Sequence, residues 1–280
     1  MRAAALAFVL ALVTATPAPA ADPVRLAAAG SLRAALDEAA AAFAAAPGGA
    51  PVLATYGASG LLRQRIAAGE PFEVFASANM EHPEAVGRER GRPVALFARN
   101  RLCAIAKPGL DVAPDTLLER MLDPAVKLGT STPRADPAGD YAFAMFARAE
   151  AVRPGARAAL EGKALRLTGG PDSERPPPGR DSYAWQFERG AADLFLTYCT
   201  NAALARAADP ALREVALPEA LSISADYGLV ALSDRPEAAR FALFLLSPDG
   251  QAVLARHGFE APTLPRAPSG TPRRPFTRFP

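Results

Sequence analysis

Two short stretches of the sequence place a serine behind small residues, at a point where an apolar run gives way to a helix-like segment: Ala29-Gly30-Ser31-Leu32 and Gly57-Ala58-Ser59-Gly60. Small residues let the backbone turn tightly and come close to a ligand. A serine at a helix start offers its hydroxyl and its backbone N–H. The helix N-terminus adds unpaired N–H groups and a partial positive charge, which together suit an anion. Either serine alone reads as an ordinary N-cap; the repeat of the design is what raises the anion cradle as an alternative of equal standing.

Three further places offer donors. Asp136-Pro137-Ala138-Gly139-Asp140 puts a proline at a helix start, where the N–H groups of Ala138 and Gly139 are expected to face outward. Gly179-Arg180-Asp181-Ser182 precedes another helical segment, and Tyr198 ends a strand-like run, where its phenol is either a donor or a core ring with a satisfied hydroxyl. Except for Arg180, these donors carry no formal charge. Such a set suits a fully ionised dianion such as molybdate, tungstate or sulfate, held by several charge-assisted hydrogen bonds. Phosphate keeps a proton at neutral pH and wants a buried acceptor; Asp140 and Asp181 are in place to supply one, so phosphate is disfavoured rather than excluded.

The elements that must position these residues alternate. Val24 to Ala29, Val52 to Tyr56 and Glu73 to Ala78 read as strands, and the segments after Ser31 and Ser59 as helices, the first with Leu32, Leu36, Ala39 and Phe43 near a 3.6-residue spacing. This βαβαβ order predicts an open, largely parallel α/β sheet. Further strands are expected at Arg101 to Ala106, Val126 to Gly129, Asp193 to Tyr198 and within Ser222 to Leu232. Helices are expected at Asp140 to Ala149, Tyr183 to Arg189 and, as a pair broken at Ser247-Pro248, Pro236 to His257. Thr168 to Gly179, TGGPDSERPPPG, reads as a long loop whose prolines favour extended backbone, and its length suggests a lid.

Composition bounds the rest. The 280 residues are 50% hydrophobic with a formal net charge of +2, too balanced to suggest nucleic-acid binding. Arg2, the apolar run Ala3 to Val13 and Ala18-Pro19-Ala20 have the form of a cleaved export signal over residues 1–20, with no cysteine at the cleavage site for a lipid anchor. Residues 262–280, rich in proline and arginine, read as a disordered tail. An exported chain enters an oxidising compartment, where Cys103 and Cys199 are free to pair; spacing alone leaves the pairing open. Two cysteines and two histidines are too few for a convincing metal site. The hydrolase elbow G-x-S-x-G fails at Leu61, and neither H-E-x-x-H nor a P-loop is present, so the chain does not read as an enzyme; a hydrolase is only a remote alternative.

The stretches AAAGSLRAALDEAAAAF, TYGASGLLRQRIAAGEPFEVFASANMEH, NRLCAIAKPG, DPAGDYA, ADLFLTYCTNA, SADYGLVAL and LSPDGQAVLARHGF cover most of residues 24 to 260 in order. In this the chain resembles the periplasmic molybdate-binding proteins of ABC transporters. The resemblance implies a two-lobed α/β periplasmic binding protein fold, each lobe a mostly parallel sheet flanked by helices, with the ligand in the interlobe cleft. Lobe 1 would hold residues 21–102 plus 225–261 and lobe 2 residues 103–224. It implies that Ser31, Ser59, Ala138, Arg180 and Tyr198 hold the oxyanion, with Asp181 and Ser182 as neighbours of the Arg180 position. Molybdenum would be bound as molybdate, and tungsten as tungstate, without direct metal coordination or any cofactor. Sulfate, phosphate or a small organic anion are the alternatives on the same scaffold. A monomeric periplasmic protein that hands its ligand to an ABC permease, with no membrane insertion of its own, is the expected setting. The chain departs from the pattern in its long 168–179 loop, in the charge of Arg180, usually an apolar position, and in Cys199 after the tyrosine.

Overall fold

The computed structural model describes residues 22–262, so the expected export signal and the tail beyond Pro262 lie outside the described residues. Strand β1 (Val24–Ala29) is almost wholly buried, as befits a strand covered on both faces. A 3-10 turn, Gly30–Leu32, leads into α1 (Arg33–Ala45), whose buried Ala35, Leu36, Ala39 and Phe43 form one stripe. Then come β2 (Val52–Gly57), α2 (Ser59–Ala67), β3 (Val74–Ser77) and α3 (Glu81–Arg90), the last closed by Gly91 at φ 62° in the left-handed region. Strand β4 (Val94–Ala106) is the longest of the described strands. Next are α4 (Leu117–Leu122), β5 (Leu128–Ser131), α5 (Pro137–Val152), α6 (Ala156–Lys163) and β6 (Leu165–Thr168). The chain continues with α7 (Ser182–Glu188), β7 (Leu194–Tyr198), α8 (Cys199–Ala208), β8 (Arg213–Ala216), β9 (Ser224–Ala231), α9 (Pro236–Leu246) and α10 (Pro248–Arg256).

The strand order is β2-β1-β3-β9-β4-β7-β5-β6, with β8 paired to β4. The expected βαβαβ unit is present: β1 lies parallel to both β2 and β3. A second parallel group joins β5 to β6 and β7. Between them β9 and β4 run antiparallel to their neighbours, so the sheet as a whole is mixed while each half keeps the expected parallel core. β4 is shared by both halves. Val94–Arg101 pairs with β9, Leu102–Ala106 with β7 and Cys103–Ala106 with β8, so the expected boundary at 102/103 falls inside this strand.

Each half has helices on both faces of its strands. Leu26, Leu36, Phe43 and Phe241 pack on one face of the first half, and Leu62, Ile66 and Phe75 on the other. Leu128, Met145, Phe146 and Leu160 pack on one face of the second half, and Ile105, Phe195 and Ala202 on the other. Helices α3, α4, α6 and α8 and strands β6 and β8 are additions to what periodicity predicted. Helix α3 shows why. Its sequence, EHPEAVGRER, carries too few apolar residues to draw a stripe, and a proline and a glycine interrupt it. It is held instead by Pro83, Ala85 and Val86, buried against the sheet.

Candidate functional site

Ser31 and Ser59 line one wall of a single cleft of about 1070 Å³, just above the roughly 300–1,000 Å³ range of small-molecule sites. Both stand where a parallel strand hands over to a helix, β1 to α1 and β2 to α2. The parallel sheet therefore brings both helix starts to its carboxyl edge, where α/β folds hold ligands. Ser59 is 1% exposed and its hydroxyl oxygen accepts the Ala78 N–H at 3.1 Å. The Ser31 hydroxyl lies 3.0 Å from the phenol of Tyr227, a buried residue of β9.

Tyr198 also lines the cleft and donates its O–H to the Ala78 carbonyl at 3.3 Å. Burial raises the pKa of Tyr198 and of Tyr227 well above the tyrosine range, so both phenols stay protonated donors at neutral pH. Their rings are 5.5 Å apart, and the Asn100 amide donates to the Tyr227 phenol at 3.3 Å and to the Thr200 hydroxyl at 2.8 Å. Asn100, Thr200 and Tyr227 were not singled out in the sequence. The resemblance did include the SADYGLVAL stretch that carries Tyr227, but nothing local linked it to Ser31, 196 positions away.

The opposite wall differs from expectation. The Ala138 N–H is not turned outward: the Asp136 carboxylate accepts it at 3.0 Å as the N-cap of α5, and the Gly139 N–H goes to the Asp136 carbonyl at 2.9 Å. Ala138 is buried and does not line the cleft, whereas Asp136 does. Likewise the Arg180 N–H goes to the Pro177 carbonyl at 3.1 Å, and its guanidinium forms an exposed ion pair with Glu188. Asp181 caps α7 by accepting the N–H groups of Tyr183 and Ala184, at 2.9 and 2.8 Å, and Ser182 is exposed at the cleft rim. These backbone arrangements share one cause, and Arg180, Asp181 and Ser182 all line the cleft. A helix start supplies its own cap when an acidic residue precedes it, and here both later helices have one.

Asp136 is the residue the sequence reading passed over. It keeps partial exposure to the cleft, yet burial of its carboxyl, aided by the neighbouring Asp140, pushes its pKa up to about 6 against the Ala138 N–H and the Ser131 hydroxyl, which favour the ionised form. Gly169, at φ 75°, lies over it so closely that a Cβ there would fall 2.3 Å from a carboxylate oxygen. Asp140, one of the acceptors considered from sequence, is engaged elsewhere: it accepts the Arg134 N–H at 2.7 Å. The Gly60 N–H of α2 donates across the cleft to the Ala135 carbonyl at 2.8 Å, so the turn before Asp136 touches the helix start that carries Ser59. The loop from Thr168 to Gly179 contributes Gly169, Ser173 and Pro177 to the cleft wall. Deep in the same wall, Gln186 is fully buried and its amide nitrogen has no partner.

Cys103 of β4 and Cys199 of α8 form a disulfide, which answers the pairing that spacing left open. The bond ties the residue after Tyr198 to the shared strand. Among the described residues no helix is long and apolar enough to cross a membrane.

The family model described as bacterial extracellular solute-binding protein matches residues 24–260. The chain belongs to that family. Among curated relatives, this solute-binding protein is 39% identical over 181 residues to the uncharacterized protein PM1146 of Pasteurella multocida (strain Pm70), a match covering 64% of this chain and 74% of the relative. Two solved structures share the fold. The periplasmic molybdate-binding protein of Azotobacter vinelandii matches with TM-score 0.66 and 20% identity, over 86% of this chain and 100% of the other. The sulfate-binding protein SubI of Mycobacterium tuberculosis H37Rv matches with TM-score 0.68 and 17% identity, over 85% and 86%. At these identities the likeness is one of fold: a mixed α/β solute-binding architecture with the cleft between its halves.

Proposed function

We propose that this solute-binding protein captures an oxyanion outside the cytoplasm and delivers it to the permease of an ABC importer. The observation that carries the reading is the pair of serines, Ser31 and Ser59, at two helix starts on one wall of one cleft, with the protonated phenol of Tyr198 beside them. Hydroxyl and N–H donors at helix starts stabilise an anion without a buried cation to neutralise it. The molybdate and sulfate named for the two fold neighbours support the same ligand class. Export, a periplasmic location and a monomeric state accompany this reading, and the family is one of binding proteins rather than enzymes.

Within that class the sequence resemblance points to molybdate, with tungstate beside it. Asp136, an acceptor lining the same cleft, favours a second reading, a proton-bearing anion of the phosphate type. The test is calorimetric titration of the mature, anion-stripped protein with molybdate, tungstate, sulfate and phosphate. One-to-one binding of any of them is the expected result, and failure of all four would overturn the oxyanion reading. The 168–179 loop serves in this scheme as the cover of the cleft. Deleting Gly170 to Pro177 is expected to weaken binding while leaving the fold intact; unchanged affinity would remove its role.

A further inference from the structure

We infer that the ligand is an organic phosphate whose body carries a carboxylate: the phosphate seats on the serines, and Arg33 and Arg175, nearer the mouth of the same cleft, hold the second charge. This rests on the oxyanion reading above and names the substrate class of that site.

Three observations carry it. The first is size. The cleft holds about 1070 Å³ although its two halves already touch, through the Gly60 N–H on the Ala135 carbonyl at 2.8 Å and the Tyr198 phenol on the Ala78 carbonyl at 3.3 Å. A five-atom tetrahedral anion, a few times the roughly 30 Å³ share of one water molecule, fills about a tenth of that space. The second is charge. Arg33, Arg65, Arg175 and Arg180 line the cleft, and only Arg65 and Arg180 have acidic partners, Glu70 and Glu188. Among the described residues Arg33 and Arg175 form no ion pair. The carboxylates that line the cleft are engaged elsewhere: Asp136 and Asp181 cap helices, and Glu174 pairs with Arg189. The third is placement. Ser59 and Tyr198 are each 1% exposed, whereas Arg33 and Arg175 are exposed, so the donors lie at the floor and the arginines towards solvent. Arg33 follows Ser31 by two positions, and its guanidinium stacks 4.3 Å from the centre of the Tyr56 ring, whose O–H donates to Asp37 at 2.6 Å.

A bare tetrahedral anion on the serines uses the floor of this cleft and leaves both arginines to water. A carboxylate on the same molecule gives them a partner. A guanidinium held through its face on an aromatic ring keeps its N–H groups for another acceptor, and their fork geometry matches a carboxylate. The body between the two charged ends displaces water from the cleft wall. Joined in one ligand, the two ends bind more tightly than either fragment, because the second contact becomes intramolecular. Arg175 belongs to the 168–179 loop, the stretch in which the chain is longer than the family pattern, so the extra length supplies an anchor as well as a cover.

The experiment titrates the mature protein calorimetrically with 3-phosphoglycerate, glycerol 3-phosphate and inorganic phosphate, as wild type and as the double variant Arg33→Ala, Arg175→Ala. Both side chains are exposed and without ion pairs, so the fold does not depend on them, and a thermal melt confirms it. Wild-type protein is expected to bind 3-phosphoglycerate at least about tenfold more tightly than either of the others, a difference of about 1.4 kcal/mol. The double variant is expected to bring the three affinities to within about threefold of one another. Inorganic phosphate bound as tightly as 3-phosphoglycerate by wild type, or a preference for 3-phosphoglycerate that survives in the variant, overturns the inference and leaves the oxyanion reading standing. Absence of binding to all three, and to molybdate and sulfate, overturns both.

Discussion

The two walls of the cleft are built from the same kind of part, a helix start at the end of a strand or loop, yet they end in opposite chemistry. On the first wall the caps of α1 and α2 are Leu32 and Ala58, neither start has a side-chain cap, and both serines line the cleft. On the second wall α5 and α7 are each preceded by an aspartate, and each aspartate accepts the N–H groups that would otherwise face a ligand. A helix N-terminus is therefore an anion site only when the chain leaves it uncapped. On the second wall the aspartates thus take up the helix-start N–H groups, and the buried Gln186 amide nitrogen is the donor left without a partner.

The comparison can be broken most directly on the donor wall. Ser31→Ala and Ser59→Ala are each expected to cost on the order of 1–3 kcal/mol of oxyanion binding, as loss of a hydrogen bond to a charged group, and the double variant should show the largest loss. Titration of the double variant checks this; an unchanged affinity would mean that the donor wall does not hold the anion. The next effect concerns the strand both halves share. Replacing Cys103 and Cys199 by serine removes a cross-link spanning 96 positions and is expected to lower stability by about 2–4 kcal/mol. Urea unfolding measures it, and a loss well under about 1 kcal/mol would show that packing alone fixes α8 on β4.

The acceptor wall has a signature in pH. The folded-state pKa of Asp136 is raised to about 6, so the folded chain binds this proton more readily than the unfolded chain does. The stabilising contribution is then complete below the ordinary aspartate pKa and is lost as pH rises through about 6. Asp136→Asn should therefore be more stable than wild type by on the order of 1–3 kcal/mol near pH 8, with the gap closing towards about pH 4. Denaturant midpoints across that range test the sign, and a gap independent of pH would place the carboxyl in open water.

Smaller effects sharpen the contrast. Tyr198→Phe is expected to weaken binding by about 1 kcal/mol, less than loss of both serines; if the variant fails to fold, the ring is needed for the core rather than for the ligand. Arg180→Ala should change affinity and stability by less than about 1 kcal/mol, because its exposed pair with Glu188 is screened by water. A large loss of binding there would show that the guanidinium leaves Glu188 to reach the anion.

Much of this molecule was legible in the order of its residues. The apolar run at Val24 to Ala29, the stripe of Leu36, Ala39 and Phe43, and the small residues ahead of Ser31 and Ser59 fixed the first βαβαβ unit and the position of both serines. Those signals are local, since a strand's burial and a helix's stripe are written at short spacings. The same locality explains what was missed. Helix α3 has no stripe because one short buried turn suffices to hold it. The partner of Ser31 is Tyr227, brought near by the antiparallel insertion of β9, and the pairing of Cys103 with Cys199 depends on β4 lying beside β7.

Asp136 marks the boundary most sharply. Its sequence neighbours, Pro137, Ala138 and Gly139, announced a helix start and gave no sign of which groups the start would satisfy. Sequence alone determined the family scaffold, the two serine turns and the helix start at Pro137. Tertiary structure decided that this aspartate caps α5, lines the same cleft as those serines and has its pKa raised by burial, because desolvation depends on what packs around a group and not on what lies along the chain.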